Sequence, residues 1–251
     1  METDTMDISE QLLQGSQIQE YLEQIAQLRL TIFREYPYLY DGQQKDELEY
    51  LKHYASHTEA TAIIASCGNE LAGAVTAIPL QYESEELASP LAATQYPVER
   101  IIYIGELLFY PDYRNKGLGS RLLSRIEQHF LDQKSYDYLT SATVMRPDDH
   151  PRCPDGYVPI DRFLQRSQFV KLAGVTTHFT WKEVDGIPRD HEMQFWIKAL
   201  SPMIWQLWRQ DDNGQRFLVG ESKEKATAET RMAELMKCLH KQTYWIEKAI
   251  E

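Results

Sequence analysis

"YPDYRNKGLGSRLL", Tyr110 to Leu123, sets an arginine, an asparagine, a lysine and two glycines between an apolar run and a run with helical spacing. The run before it, "IIYIGELLFY", is continuously apolar, the pattern of a strand buried on both faces. After it, Leu118, Leu122, Leu123, Ile126, Phe130 and Leu131 recur at intervals that predict one face of a helix reaching about Lys134. A strand, a glycine-containing loop and a helix in succession aim the first free N–H groups of the helix at whatever occupies the loop, and the helix dipole adds positive potential there. The stretch therefore reads as an anion site. It is not a P-loop, because no Lys-Ser or Lys-Thr follows the glycines. It is not the dinucleotide fingerprint either: Leu122 stands where the third glycine belongs, and the loop falls in mid-chain after two antiparallel strands.

Working outward, residues 17–35 place Ile18, Leu22, Ile25, Leu28, Ile32 and Phe33 on one face of an amphipathic helix, stopped by Pro37 and Asp41-Gly42. A second helix is predicted over Asp46 to Ala55. "TAIIAS", the turn Gly68-Asn69 and "ELAGAVTAIPL" predict two antiparallel strands. Gln81 to Arg100, acidic and holding Pro90 and Pro97, reads as a loop or short irregular helix. Beyond the loop and its helix, "YDYLTSATVM" predicts a strand, "IDRFLQRS" a short helix, and "VTTHFTWKE" with "EMQFWIKAL" a closing strand pair. The order is that of an α/β (α+β) fold with a mixed sheet flanked by helices. Ser201-Pro202 marks a boundary, and residues 201–251 read as a small ββαβ module whose core would be Trp205, Trp208, Phe217, Tyr244 and Trp245.

Composition narrows the function classes. An apolar share of 43% and a charged share of 25% are those of a globular chain. Net charge is −12, carried entirely by residues 1–200, since 201–251 hold eight basic and eight acidic side chains. An acidic surface disfavours nucleic acid and acidic membranes and favours amines or basic peptides. No apolar run is long enough to span a membrane. Three separated cysteines, Cys67, Cys153 and Cys238, imply neither a disulfide framework nor a zinc knuckle, which fits a reducing, cytoplasmic setting. Asp148, Asp149, His150 and Cys153 offer too few ligands for a metal.

The pattern Arg114-Asn115-Lys116-Gly117-Leu118-Gly119, with the strand "GELLFYPDYR" before it and "RFLQRSQFVK" after it, resembles the GNAT superfamily of acyl-CoA-dependent N-acyltransferases. The resemblance spans residues 8–200 in element order and implies a mixed, mostly antiparallel sheet flanked by helices over residues 1–200, with 201–251 outside it. It implies that the backbone of Asn115, Lys116, Gly117, Leu118, Gly119 and Ser120 holds the pyrophosphate of acetyl-CoA, with charge from Arg114 and Lys116. The strand backbone at Leu107, Leu108 and Phe109 would hold the pantetheine arm. Tyr36, Tyr38 and Tyr40 fall where the family shapes its acceptor site. The implied activity is transfer of an acetyl group from acetyl-CoA to a primary amine, of a small molecule or a basic peptide, by direct attack in a ternary complex and without a metal.

Such a transfer needs a neutral amine, a polarised thioester and a proton for the thiolate. Glu106, the one carboxylate in the apolar strand, is a candidate base or ammonium ligand, and equally a candidate for a structural ion pair. The chain departs from the family at the acid: Leu164 replaces the usual Tyr and Gln168 the usual Gly. Tyr157 is the first replacement acid, ahead of Cys153, His150 and water. An acyl-CoA-binding sensor without catalysis is the alternative function. Exposed strand edges in the 201–251 module leave room for a homodimer.

Overall fold

The computed structural model describes residues 7–147, 149–200, 203–222, 225–237 and 242–250. Asp148, the Ser201-Pro202 boundary, Cys238 and the expected helix end at His240 lie outside the described residues. The chain forms two compact units, Met1–Leu200 and Ser201–Glu251.

In the first unit the elements run β1 (Ile8–Gln14), α1 (Leu22–Phe33), α2 (Gln44–Ser56), β2 (Thr61–Cys67), β3 (Glu70–Pro79), α3 (Glu85–Ala92), β4 (Ile101–Phe109), α4 (Leu118–Gln133), β5 (Tyr138–Val144), α5 (Ile160–Arg166), β6 (Val170–Lys182) and β7 (Pro188–Ala199). The seven strands form one sheet in the order β1-β2-β3-β4-β5-β7-β6. Every pairing is antiparallel except β4 with β5. Two cores fill the two faces. One gathers Ile25 and Leu28 of α1, Leu51 and Tyr54 of α2 and Leu87 and Leu91 of α3 on Ile101 and Tyr103. The other gathers Leu118, Leu122, Ile126 and Phe130 of α4 and Leu164 of α5 on Ile102 and Ile104. These α4 residues are the ones whose spacing predicts the helix. Among the described residues no helix is long and apolar enough to cross a membrane.

One expectation needs correction. Residues 8–14 form an edge strand where none is predicted, paired along its whole length with β2. Of the two alternatives for Gln81 to Arg100, the structure has the short helix, α3, which contains Pro90 and buries Leu87 and Leu91.

The second unit is a three-stranded antiparallel sheet in the order β10 (Thr243–Ile250), β8 (Met203–Gln210), β9 (Arg216–Ser222), with α6 (Lys225–Met236) between β9 and β10. Asp211 shapes the hairpin, its Oδ1 accepting from the N–H groups of Asn213 and Gln215 at 2.9 Å each. The five aromatics are not the core of this unit. Among the described residues its buried side chains are Ile204, Leu207 and Ala228, whereas Phe217 is 40% exposed. Trp205, Trp208, Tyr244 and Trp245 are half-buried. Cations cover these rings instead: Arg209 stands 4.9 Å from Phe217, Arg216 5.4 Å from Trp245 and Lys225 5.5 Å from Trp205.

Candidate active site

β4 and β5 stay paired for three residues only, Ile101 to Tyr103 against Tyr138 to Thr140. Beyond them β4 follows β3 alone, with Leu107 opposite Val75, Leu108 opposite Ala74 and Phe109 opposite Gly73. The edge that faced β5 carries no partner strand over Leu107, Leu108 and Phe109, although the Phe109 carbonyl is taken by Arg114. Parallel strands part most easily where one of them changes course, and β4 does so at Gly105. The register slips there, Thr76 opposing Glu106 and Ala77 opposing Ile104. Such a bulge turns the following residues to the other face. It brings Glu106 onto the face of α1 and α2 rather than that of α4. Glycine is required at the bulge, because a Cβ on Gly105 would stand 2.2 Å from the Tyr54 hydroxyl.

The loop after β4 is built to stay open. Asn115 and Gly117 have φ of 59° and 77°, and Gly117 caps α4 with open space where a Cβ would lie. The Arg121 N–H donates to the Gly117 carbonyl at 3.1 Å. The N–H groups of Leu118, Gly119 and Ser120 are those that a helix start leaves without an intrahelical acceptor. Arg114 braces this turn, donating to the Phe109 carbonyl at 3.0 Å and to Glu35 at 2.9 Å. Its charge is thus shared with Glu35. Open backbone at β4, a left-handed cap and a bare helix start fit a phosphate-bearing ligand with an extended arm.

On the α1/α2 face a cavity of about 620 Å³ reaches β4 at Tyr103 and Gly105, where the strands part. Tyr38 and Tyr40 line it. Tyr36 does not: its ring lies 4.7 Å from Tyr157 and 5.5 Å from His150. Tyr157 is thereby held in the 145–159 insertion against the turn between α1 and α2. It is not among the described residues that line the cavity. Burial pushes its phenol up to about 12. Arg146 fastens the same turn, donating to the carbonyls of Pro37 at 2.7 Å and Tyr38 at 2.9 Å. Leu164 is buried in the α4-side core, and Gln168 adopts a φ of 68°. Gln168 thus holds a left-handed backbone conformation with a side chain on it. Among the described residues no group of three or more His, Cys, Asp or Glu could hold a metal ion.

Sequence reasoning misses the centre of the cavity. Arg29 on α1 bonds Glu47 on α2 and Glu106 on β4, and its guanidinium lies 4.3 Å from the Tyr50 ring and 4.9 Å from Phe33. Burial by itself would lower its pKa, but the neighbouring Tyr50 and Glu47 outweigh that and keep it a cation. Glu106 also takes the Thr76 hydroxyl, and its own N–H donates back to Thr76 Oγ1 at 3.2 Å. Tyr50 donates to Tyr54 at 3.0 Å, and Tyr54 to Glu83 at 2.6 Å. Burial raises the phenols of Tyr50, Tyr54 and Tyr103 and pushes Tyr38 up to about 12, so all four remain protonated donors at neutral pH.

A family model described as "Acetyltransferase (GNAT) family" matches residues 22–153, more than half of the chain. The chain belongs to the GNAT acetyltransferase family. Among solved structures it is similar to Arabidopsis thaliana NAA60 in complex with a bisubstrate analogue, with a TM-score of 0.51 and 16% identity over 76% of this chain and 98% of that one. The same protein in complex with acetyl-CoA aligns with a TM-score of 0.50 at 16% identity, over the same shares of both chains. At that identity the likeness describes the fold alone. No curated protein sequence matches the chain. The GNAT match spans α1 to β5 and the start of the insertion, so it contains the parted strands and the loop before α4.

Proposed function

We propose that this GNAT chain transfers an acetyl group from acetyl-CoA to a primary amine by direct attack within a ternary complex. One observation carries the reading: the cavity meets β4 at Tyr103 and Gly105, where the strand leaves its partner β5. Acetyl-CoA, when bound, supplies the activated acetyl thioester. The N–H groups from Asn115 to Ser120 would hold its pyrophosphate, and the backbone of Leu107, Leu108 and Phe109 its pantetheine arm. The cavity then orients the amine toward the open edge, where proximity supplies most of the rate. Glu106, fixed by Arg29 and Thr76, holds the bulge in shape. No carboxylic acid or phenol occupies the Leu164 position. The proton for the leaving thiolate is best supplied by the attacking nitrogen itself.

Two features support an amine over an anionic or neutral acceptor. The cavity and the wall behind it hold Glu47, Glu83 and Glu106 against one guanidinium, and the whole chain carries −12. Appearance of free thiol from acetyl-CoA in the presence of a panel of primary amines tests the reading. Amine-dependent turnover is expected. Tight acetyl-CoA binding without turnover on any amine would instead favour the sensor reading, which the aliphatic Leu164 at the acid position supports.

A further inference from the structure

The carboxylates around the cavity are not equivalent. Glu47 and Glu106 are both spent on Arg29, with side chains 3% and 0% exposed. Glu83 lines the cavity and forms no ion pair among the described residues. Its Oε1 accepts from the Tyr54 hydroxyl at 2.6 Å, and its Oε2 lies 3.3 Å from the Ser84 N–H. Glu86 lines the cavity too, but on the exposed first turn of α3 at the rim.

The chain from Tyr50 to Tyr54 to Glu83 has a direction. Tyr54 is fully buried, and its hydroxyl occupies the space that glycine leaves at position 105. The hydroxyl thus touches the point where β4 parts from β5, while the carboxylate it holds faces the open cavity. Rings line the same cavity: Tyr50, Tyr82, Tyr103, Phe179 and Trp181. Aromatic faces accept both apolar bodies and cations. A cavity of about 620 Å³ lined by rings, with one half-buried carboxylate that forms no ion pair among the described residues and a second, Glu86, exposed at its rim, matches a small molecule with a single charged end.

We infer that Glu83, held by the Tyr54 hydroxyl, is the residue that receives the acceptor's ammonium, and that the acceptor is a small primary amine with an apolar or aromatic body. The inference rests on the acetyl-transfer reading only for what happens next. One proton passes from the ammonium to Glu83 and frees the nitrogen lone pair. The C–N bond forms at the acetyl carbonyl and the C–S bond breaks, its electron pair leaving on sulfur. The second N–H proton ends on that thiolate, and Glu83 returns its proton to solvent.

The test uses the full chain and two probes of one shape, 2-phenylethylamine and the neutral 2-phenylethanol, with binding measured by calorimetry without acetyl-CoA. Wild type is expected to prefer the amine by about tenfold or more, the value of a charge-assisted hydrogen bond. Glu83→Gln should erase that preference while leaving the alcohol's affinity unchanged, and Glu83→Asp should restore part of it. Glu106→Gln should keep the preference. For turnover, Glu83→Gln should lower kcat by about a hundredfold, the lower range of general-base effects. Equal binding of amine and alcohol by wild type overturns the inference. So does loss of both probes together in Glu83→Gln, loss of amine selectivity in Glu106→Gln alone, or tighter binding of a basic tetrapeptide than of the amine. Amine binding through Glu83 with no acetyl transfer would uphold the ammonium site and remove the acetyltransferase reading.

Discussion

Replacing Arg29 by methionine strands two buried carboxylates at once. Glu47 and Glu106 are 3% and 0% exposed at the side chain, and Arg29 is their shared cation. Removing one partner of a buried ion pair costs about 3–5 kcal/mol, because the remaining charge stays desolvated. For a unit of this size that corresponds to a fall in Tm of roughly 10 °C. Glu106→Gln alone is expected to cost only about 1–2 kcal/mol, since Arg29 keeps Glu47 and the amide oxygen still accepts from Thr76. In the double variant the two effects should not add: neutralising Glu106 removes half of the stranded charge, so coupling of about 1–3 kcal/mol is expected. Urea unfolding followed by circular dichroism gives all three values. A loss below about 1 kcal/mol for Arg29→Met, or strict additivity, would refute the claim that Arg29 neutralises Glu106.

Gly117→Ala should cost about 1 kcal/mol, because φ is 77° although the space is open, and should weaken acetyl-CoA binding by calorimetry if the cap shifts. Gly105→Ala drives a Cβ into the Tyr54 hydroxyl and should cost about 1–3 kcal/mol; thermal unfolding at wild-type Tm would count against the bulge geometry. Gln168→Gly relieves a left-handed side chain and should stabilise by about 0.5–1 kcal/mol, read as a Tm rise of roughly 2 °C. For pH, His57, His129 and His191 are all held below their ordinary 6.5, chiefly by burial and, for His191, next by the charge of Arg146. The unfolded chain therefore binds more protons just below pH 6.5, so the stability these residues provide is present above 6.5 and is lost as pH falls through their folded values. Denaturant midpoints should drop from pH 7 to 5, less steeply in His191→Gln, and a flat profile would contradict the depressed values.

What sequence conveys here is local. The α4 stripe, the glycines before it and the continuous apolar run of β4 each speak within a dozen residues, and they are enough for the family. The charge pattern of the cavity is not local. Arg29 meets Glu106 across 77 positions and Glu47 across 18, and in its own window Arg29 reads as one polar break in a helical stripe. Glu83 looks like any acid in an acidic loop until Tyr54, on α2, reaches it. β1 escapes detection because "ISEQLLQ" does not alternate, and its pairing with β2 supplies what its pattern lacks. The module's aromatics mislead because alternation marks a strand without saying which face is covered.

The most direct measurement follows an isotope-labelled acetyl group from acetyl-CoA into product by mass spectrometry, with 2-phenylethylamine as acceptor. The label is expected on the amine nitrogen with one free thiol formed per transfer, at a rate that falls sharply in Glu83→Gln. Label recovered only as acetate, or amide formed at an equal rate in Glu83→Gln, would contradict a cavity that binds its amine beside the parted strands.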